Sequence, residues 1–188
     1  MLTTRRPATN LRTVTDPTPE PVVLIPPGLP IEAAAAWIGH ACWAELRLHA
    51  VLTEWLAVEA DAERVAALWH ERADAAERAE SWHRRLPELR ERPRAELMVP
   101  SSPVVAQLFD GLVALSTPEA SEARHAALAA VLRGLRLGYH RHLEVAVGPA
   151  DGPTAISLQA ALRSTFGAGG AEPDTAWNDA IEQAGGLP

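Results

Sequence analysis

The positions of the prolines decide where this 188-residue chain can be helical. Seven of its 16 prolines fall in residues 1–30, and none lies in residues 31–86. Proline lacks a backbone N–H and clashes with the preceding helical turn, so the first segment cannot form a regular helix. We therefore expect a proline-rich N-terminal arm, residues 1–30, followed by a single helical domain, residues 31–188. The apolar run at residues 22–25 is expected to dock on this domain or on a second subunit.

Composition and charge narrow the class of partner. The chain is 47% hydrophobic and 22% charged, as in soluble globular proteins, and it has no apolar run of membrane-spanning length. Its net charge of −7 argues against binding to nucleic acid or to an anionic membrane. We expect a cytoplasmic protein with small-molecule or protein partners, including a second copy in a homodimer. Cys42, the single cysteine, is expected to be a buried, unreactive thiol.

Hydrophobic periodicity predicts helices throughout the domain, and strand patterns are missing. The predicted helices span about residues 31–59, 61–89, 104–116, 117–147 and 154–166, with a short last helix capped by Asp174. The first two are joined by a very short link and must form an antiparallel hairpin. The connection at residues 90–103 is longer than bundle loops usually are, which favours a crossover.

The phase of the second helix decides whether its ionisable residues reach the interior. Its inward positions are predicted to be Val65, Trp69, Ala76, Glu80, His83 and Leu86. Its outward positions are predicted to be Arg64, Glu71, Asp74, Arg78, Ser81 and Arg85. On this phase Glu80 and His83 point into the protein.

Several inward-facing residues are candidate metal ligands. They are Glu45 on the first helix, Glu80 and His83 on the second, and Glu122, His125 and His142 on the fourth. A glutamate and a histidine three residues apart share a helix face, so both side chains can converge on one ion. Mixed carboxylate and imidazole ligands favour iron or manganese. The alternative for Glu80 and His83 is a buried ion pair with an arginine such as Arg47 or Arg72.

The two candidate groups on the fourth helix exclude each other. His125 and His142 are 17 residues apart, which is roughly 25 Å along a helix, so they cannot share one centre. If the crossover places the start of the fourth helix near the end of the second, Glu122 and His125 join the site. Otherwise Tyr139 and His142 join it, with Asp151 as a possible extra carboxylate. Acids such as Glu122 also stabilise a helix start without binding metal.

The chain resembles the ferritin-like superfamily, including small actinobacterial members of unassigned activity. The resemblance covers residues 31 to about 147 and rests on Cys42-Trp43-Ala44-Glu45, Glu80-x-x-His83, Glu122-Ala-Arg-His125 and Tyr139-His-Arg-His142-Leu. It implies a four-helix bundle, here with additional short C-terminal helices, around a di-iron or di-manganese site. The third predicted helix departs from the pattern, because its one acidic residue, Asp110, is expected to face outward.

Two classes of function follow. The first is a di-metal oxygenase or oxidase acting on a small molecule, in which Tyr139 or a tryptophan passes an electron. The second is a metal-free ferritin-like scaffold or binding protein with a buried polar network. A bundle of the heme-oxygenase-like di-iron type, with different ligand spacing, is a third possibility beside these two classes. The missing carboxylate on the third predicted helix favours the second class.

Overall fold

The computed structural model describes residues 28–88, 90, 92–164 and 174–188, and every regular element in these ranges is helical. The helices are α1 (Ile31–Leu56), α2 (Ala62–Arg85), α3 (Arg94–Leu97), α4 (Pro103–Val113), α5 (Ser121–Val145), α6 (Gly152–Arg163) and α7 (Thr175–Gln183). The prediction of an all-α fold is confirmed. The apolar run at residues 22–25 lies outside the described residues.

Helices α1 and α2 form the antiparallel hairpin that the short link predicts. The Asp61 carboxylate caps α2 by accepting hydrogen bonds from the backbone N–H groups of Glu63 and Arg64, at 3.0 and 2.9 Å. Such a cap satisfies amide groups that have no partner within the helix. Farther from the turn, the Cys42 thiol lies 3.5 Å from the carbonyl oxygen of Ala79. The hairpin therefore stays in contact over most of its length.

Helix α5 runs parallel to α2, which decides between the two arrangements that the sequence left open. The start of α5 meets the start of α2, where Arg64 pairs with Glu122. Near its other end, the Tyr139 hydroxyl lies 3.1 Å from the indole nitrogen of Trp82. The crossover between α2 and α5 therefore brings Tyr139, and not His125, to the level of the last turns of α2.

The apolar core formed by the described residues divides into two clusters. One joins the second half of α1 to α4, the first half of α5 and α7. The other joins the first half of α1 to the end of α2, the end of α5 and α6. Cys42 is buried in the second cluster, as expected. Burial and the nearby Glu45 charge raise the pKa of the Cys42 thiol to about 11, which keeps it protonated.

The helices differ too much in length for a four-helix bundle in which all four helices are equally long. Helices α1, α2 and α5 have 24 to 26 residues, whereas α4, α6 and α7 have 9 to 12. Helix α5 begins at Ser121, after a 3-10 turn at Pro118–Ala120, and not at residue 117 as predicted. The three long helices frame the site described next.

Candidate functional site

Helix α2 presents a different face to the interior from the one that its sequence predicts. Glu80 and His83 are exposed, and Glu80 forms a surface ion pair with Arg84. The buried positions are Leu68, Glu71, Ala75, Arg78, Ala79 and Trp82. The inward orientation predicted for Glu80 and His83 is wrong, because the buried stripe is displaced by about one residue, or roughly 100° around the helix.

The buried centre of the site is an ion pair between α1 and α2. Glu45 is 0% exposed, and Arg78 is 4% exposed. Arg78 Nε donates to Glu45 Oε1 at 2.7 Å, and Arg78 Nη2 donates to Glu45 Oε2 at 3.1 Å. This two-point geometry is the strongest that a guanidinium and a carboxylate can form. Glu45 is buried as predicted, but an arginine that was expected to face solvent is its partner.

A second carboxylate, that of Glu71, binds the same Arg78 guanidinium as Glu45. Arg78 Nη2 also donates to Glu71 Oε1 at 2.8 Å, and Glu71 is 3% exposed. Burial raises the pKa of Glu71 to about 7, although the Arg78 charge opposes that shift. Burial also works against the charge of Arg78, but the carboxylates outweigh it and raise the pKa of Arg78. Glu71 is therefore the member of the site that changes charge near neutral pH.

Two aromatic side chains, Trp82 on α2 and Tyr139 on α5, are connected by a chain of hydrogen bonds to the Glu45–Arg78 ion pair. The Tyr139 hydroxyl donates to Glu45 Oε1 at 2.5 Å and accepts from Trp82 Nε1 at 3.1 Å. Both rings are 0% exposed. Burial and the Glu45 charge raise the pKa of Tyr139 well above its ordinary value. We call the five residues Glu45, Glu71, Arg78, Trp82 and Tyr139 the buried network.

The predicted ligands on the first turns of α5 lie away from the buried network. Glu122 is exposed and pairs with Arg64. His125 is half-buried on the next turn of α5, and burial lowers its pKa. Because Tyr139 belongs to the buried network and sits 14 residues farther along α5, His125 lies about 20 Å from that level.

His142 is buried, but its side chain packs against Trp37 and does not join the buried network. Its imidazole stacks on Trp37, with ring centroids 3.6 Å apart and planes 2° from parallel. Burial lowers the pKa of His142 to about 4, although the Asp151 charge opposes the shift. Asp151 accepts hydrogen bonds from the backbone N–H groups of Gly148 and Leu29, at 2.9 and 3.3 Å. Asp151 therefore anchors the chain that enters α1 to the turn between α5 and α6.

The residues present do not fit the di-metal centre that the resemblance implies. Both oxygens of Glu45 already accept hydrogen bonds from Arg78. A divalent cation about 4 Å from that guanidinium would be repelled by about 8 kcal/mol at an effective dielectric constant near 20. Within the described residues, no three His, Cys, Asp or Glu side chains are grouped so that they could hold a metal ion.

The sequence held a signal for the missed members of the buried network. Leu68, Glu71, Ala75, Arg78 and Trp82 follow one another at spacings of three and four residues, which marks one face of a helix. Because Glu71 and Arg78 are charged, this face of α2 was predicted to be exposed to solvent. Two long charged side chains on an otherwise apolar stripe indicate a buried pair when each has an opposite charge within reach.

The fold and the site together define an all-α protein with an ionic network at the junction of its two core clusters. The chain matches no protein-family model, and it matches neither a curated protein nor a solved structure. No helix in the described part of the chain is long and apolar enough to cross a lipid bilayer.

Proposed function

We propose that this protein is a non-enzymatic helical scaffold or binding protein, and that its buried network holds the helices in register without a metal. The observation that carries the proposal is the engagement of Glu45, whose two oxygens accept from Arg78 and Tyr139. Glu45 is the buried carboxylate best placed to bind a metal ion, and its charge is already neutralised by Arg78.

The energetics of the buried network favour a structural role. A buried ion pair contributes little net stability compared with apolar residues, yet losing one partner costs about 3–5 kcal/mol. Helix pairings that separate Glu45 from Arg78 would leave an unpaired buried charge. The network therefore penalises alternative registers of α1, α2 and α5, which is useful in a scaffold that must present fixed surfaces.

We also propose, from the sequence patterns described above, that the chain belongs to the ferritin-like superfamily and that the protein is cytoplasmic. A homodimer is supported by Trp69, which is 55% exposed on α2 with the Arg72 guanidinium 4.3 Å from its ring centroid. Large exposed aromatic side chains are common in protein interfaces. If Trp69 lies in a dimer interface, Trp69→Ser will lower the molar mass measured by light scattering.

Metal analysis separates the proposal from the di-metal oxygenase prediction. We expect protein produced in iron- and manganese-supplemented medium to contain less than about 0.1 ion per chain, with a melting temperature unchanged by added Fe²⁺ or Mn²⁺. The exposed Glu80 provides the matched variant, because Glu80→Ala should change neither quantity. One or two ions per chain, lost in Glu45→Gln or Glu80→Ala, would refute the proposal and restore the oxygenase.

A further inference from the structure

A cavity of about 400 Å³ lies between α1, α5, the start of α4 and the last described residues. Its polar lining comes from Arg141, His40, His142, Ser101 and Ser102. No aspartate or glutamate is among the described residues that line it, although the chain carries a net charge of −7. The cavity volume lies within the range of small-molecule sites.

His142 supplies the observation that points to a ligand. It is 7% exposed, and its Nε2 atom has no hydrogen-bond partner. Leaving a buried polar atom unpaired costs about 1–3 kcal/mol, so native structures rarely do so without a reason. The stack on Trp37 fixes the plane of the imidazole at the cavity wall. The imidazole is neutral at pH 7 because burial lowers its pKa to about 4, so it can pair with a ligand without adding charge to the cavity wall.

Positive potential in the cavity comes from Arg141 and α4. Arg141 is exposed and forms no ion pair with any described residue. Helix α4 has 11 residues and begins at the cavity with Ser102 as its N-cap. Helix starts carry a partial positive charge, which favours anions. In α4 this charge acts without a free amide from Pro103 or Val105, because Pro103 has no N–H and the Val105 N–H already donates to Ser102 Oγ.

We propose that this cavity binds the oxyanion group, a carboxylate or a phosphate, of a small organic molecule. Arg141 provides the charge, the hydroxyls of Ser101 and Ser102 provide neutral donors, and the His142 ring, stacked on Trp37, forms part of the wall. The apolar part of the ligand lies against Trp37. This proposal stands independently of the metal-free assignment, since none of these residues belongs to the buried network.

Calorimetric titration with three probes of similar size tests the proposal. The probes are benzoate, phenyl phosphate and the uncharged benzamide, added to the full chain at constant ionic strength. We expect saturable binding of at least one anion and none of benzamide. The anion that binds more tightly identifies the head group as a carboxylate or a phosphate. Absence of saturable heat with both anions at about 10 mM, or equal binding of benzamide, would overturn the proposal.

Two variants locate the binding. Arg141→Gln should weaken the anion about tenfold, the usual effect of losing one charge-assisted hydrogen bond. The matched control is Arg136→Gln, an exposed arginine on the same helix outside the cavity, which should leave affinity unchanged. His142→Phe keeps an aromatic ring against Trp37 and should also weaken binding without lowering the melting temperature. Equal losses in the two arginine variants would show nonspecific attraction and refute the site.

Discussion

Replacement of Glu71 by glutamine tests the electrostatics of the buried network most directly. The Glu71 carboxylate is 3% exposed and accepts from an Arg78 Nη2 group that it shares with Glu45. Burial raises its pKa from 4.5 to about 7. Glutamine keeps the acceptor and nearly the same volume but cannot ionise. The variant therefore removes one titration and leaves the packing in place.

The size and sign of the effect follow from the two pKa values. Below pH 4.5 the Glu71 carboxyl is protonated in both the folded and the unfolded chain, and its contribution to stability is fully present. As pH rises from 4.5 to 7, the unfolded chain releases the proton while the folded chain keeps it, so stability falls. Between pH 5 and pH 8 the loss is about 2–3 kcal/mol for a folded pKa near 7.

Urea unfolding of the wild type and Glu71→Gln at several pH values between 5 and 8 measures this loss. The lowered pKa of His142 acts in the opposite direction, because stability then rises with pH toward 6.5. Subtracting the two profiles cancels that contribution and isolates Glu71. Glu77→Gln, an exposed residue on the same helix, should give a profile parallel to the wild type. A Glu71→Gln profile that also runs parallel to the wild type would show that Glu71 is ionised in the folded chain across this range, against our reasoning.

Two further substitutions test packing and the second buried ion pair, both by urea unfolding. In Gly39→Ala the added methyl group would overlap the carbonyl backbone of α3 and cost about 1–3 kcal/mol, whereas Gly152→Ala meets no atom within 4 Å and should be nearly neutral. Equal stability of these variants would contradict the close approach of α3 to α1. Arg124→Met would remove the buried guanidinium that donates to Glu59 at 2.7 Å and cost about 3–5 kcal/mol, although Ser121 and the more distant Arg64 charge remain near Glu59. The exposed Arg136→Met is its control, and a loss below about 1 kcal/mol for Arg124→Met would show that water solvates Glu59.

The starts of α1 and α2 could be predicted because local signals mark them, whereas their ends, predicted near residues 59 and 89, fall at Leu56 and Arg85. Asp61 caps α2 in the structure, and the proline-free stretch before it forms α1. The burial of Cys42 and Glu45 on α1 was also predicted. These predictions succeeded because large apolar residues on α1 repeat on one side, so the phase is well determined.

The phase of α2 could not be predicted with the same rules. Alanine is abundant on that helix and fits either face, so the few large residues decide the phase, and Trp69 is exposed. Glu71 and Arg78 look solvated in isolation. Their burial depends on Glu45 arriving from α1, and that contact joins residues 33 positions apart. Local patterns carry no information about such a pairing.

The sequence by itself determined the all-helical class, the α1–α2 hairpin and the burial of Glu45, because helix propensity, capping and periodicity act within a few residues. Only the tertiary structure decided which charge meets Glu45, which end of α5 reaches it, and that His142 lines a cavity. Those outcomes depend on the direction of a crossover and on a rotation of α2 by one residue. Both are fixed by the packing of whole helices and by the cost of leaving a buried charge unpaired.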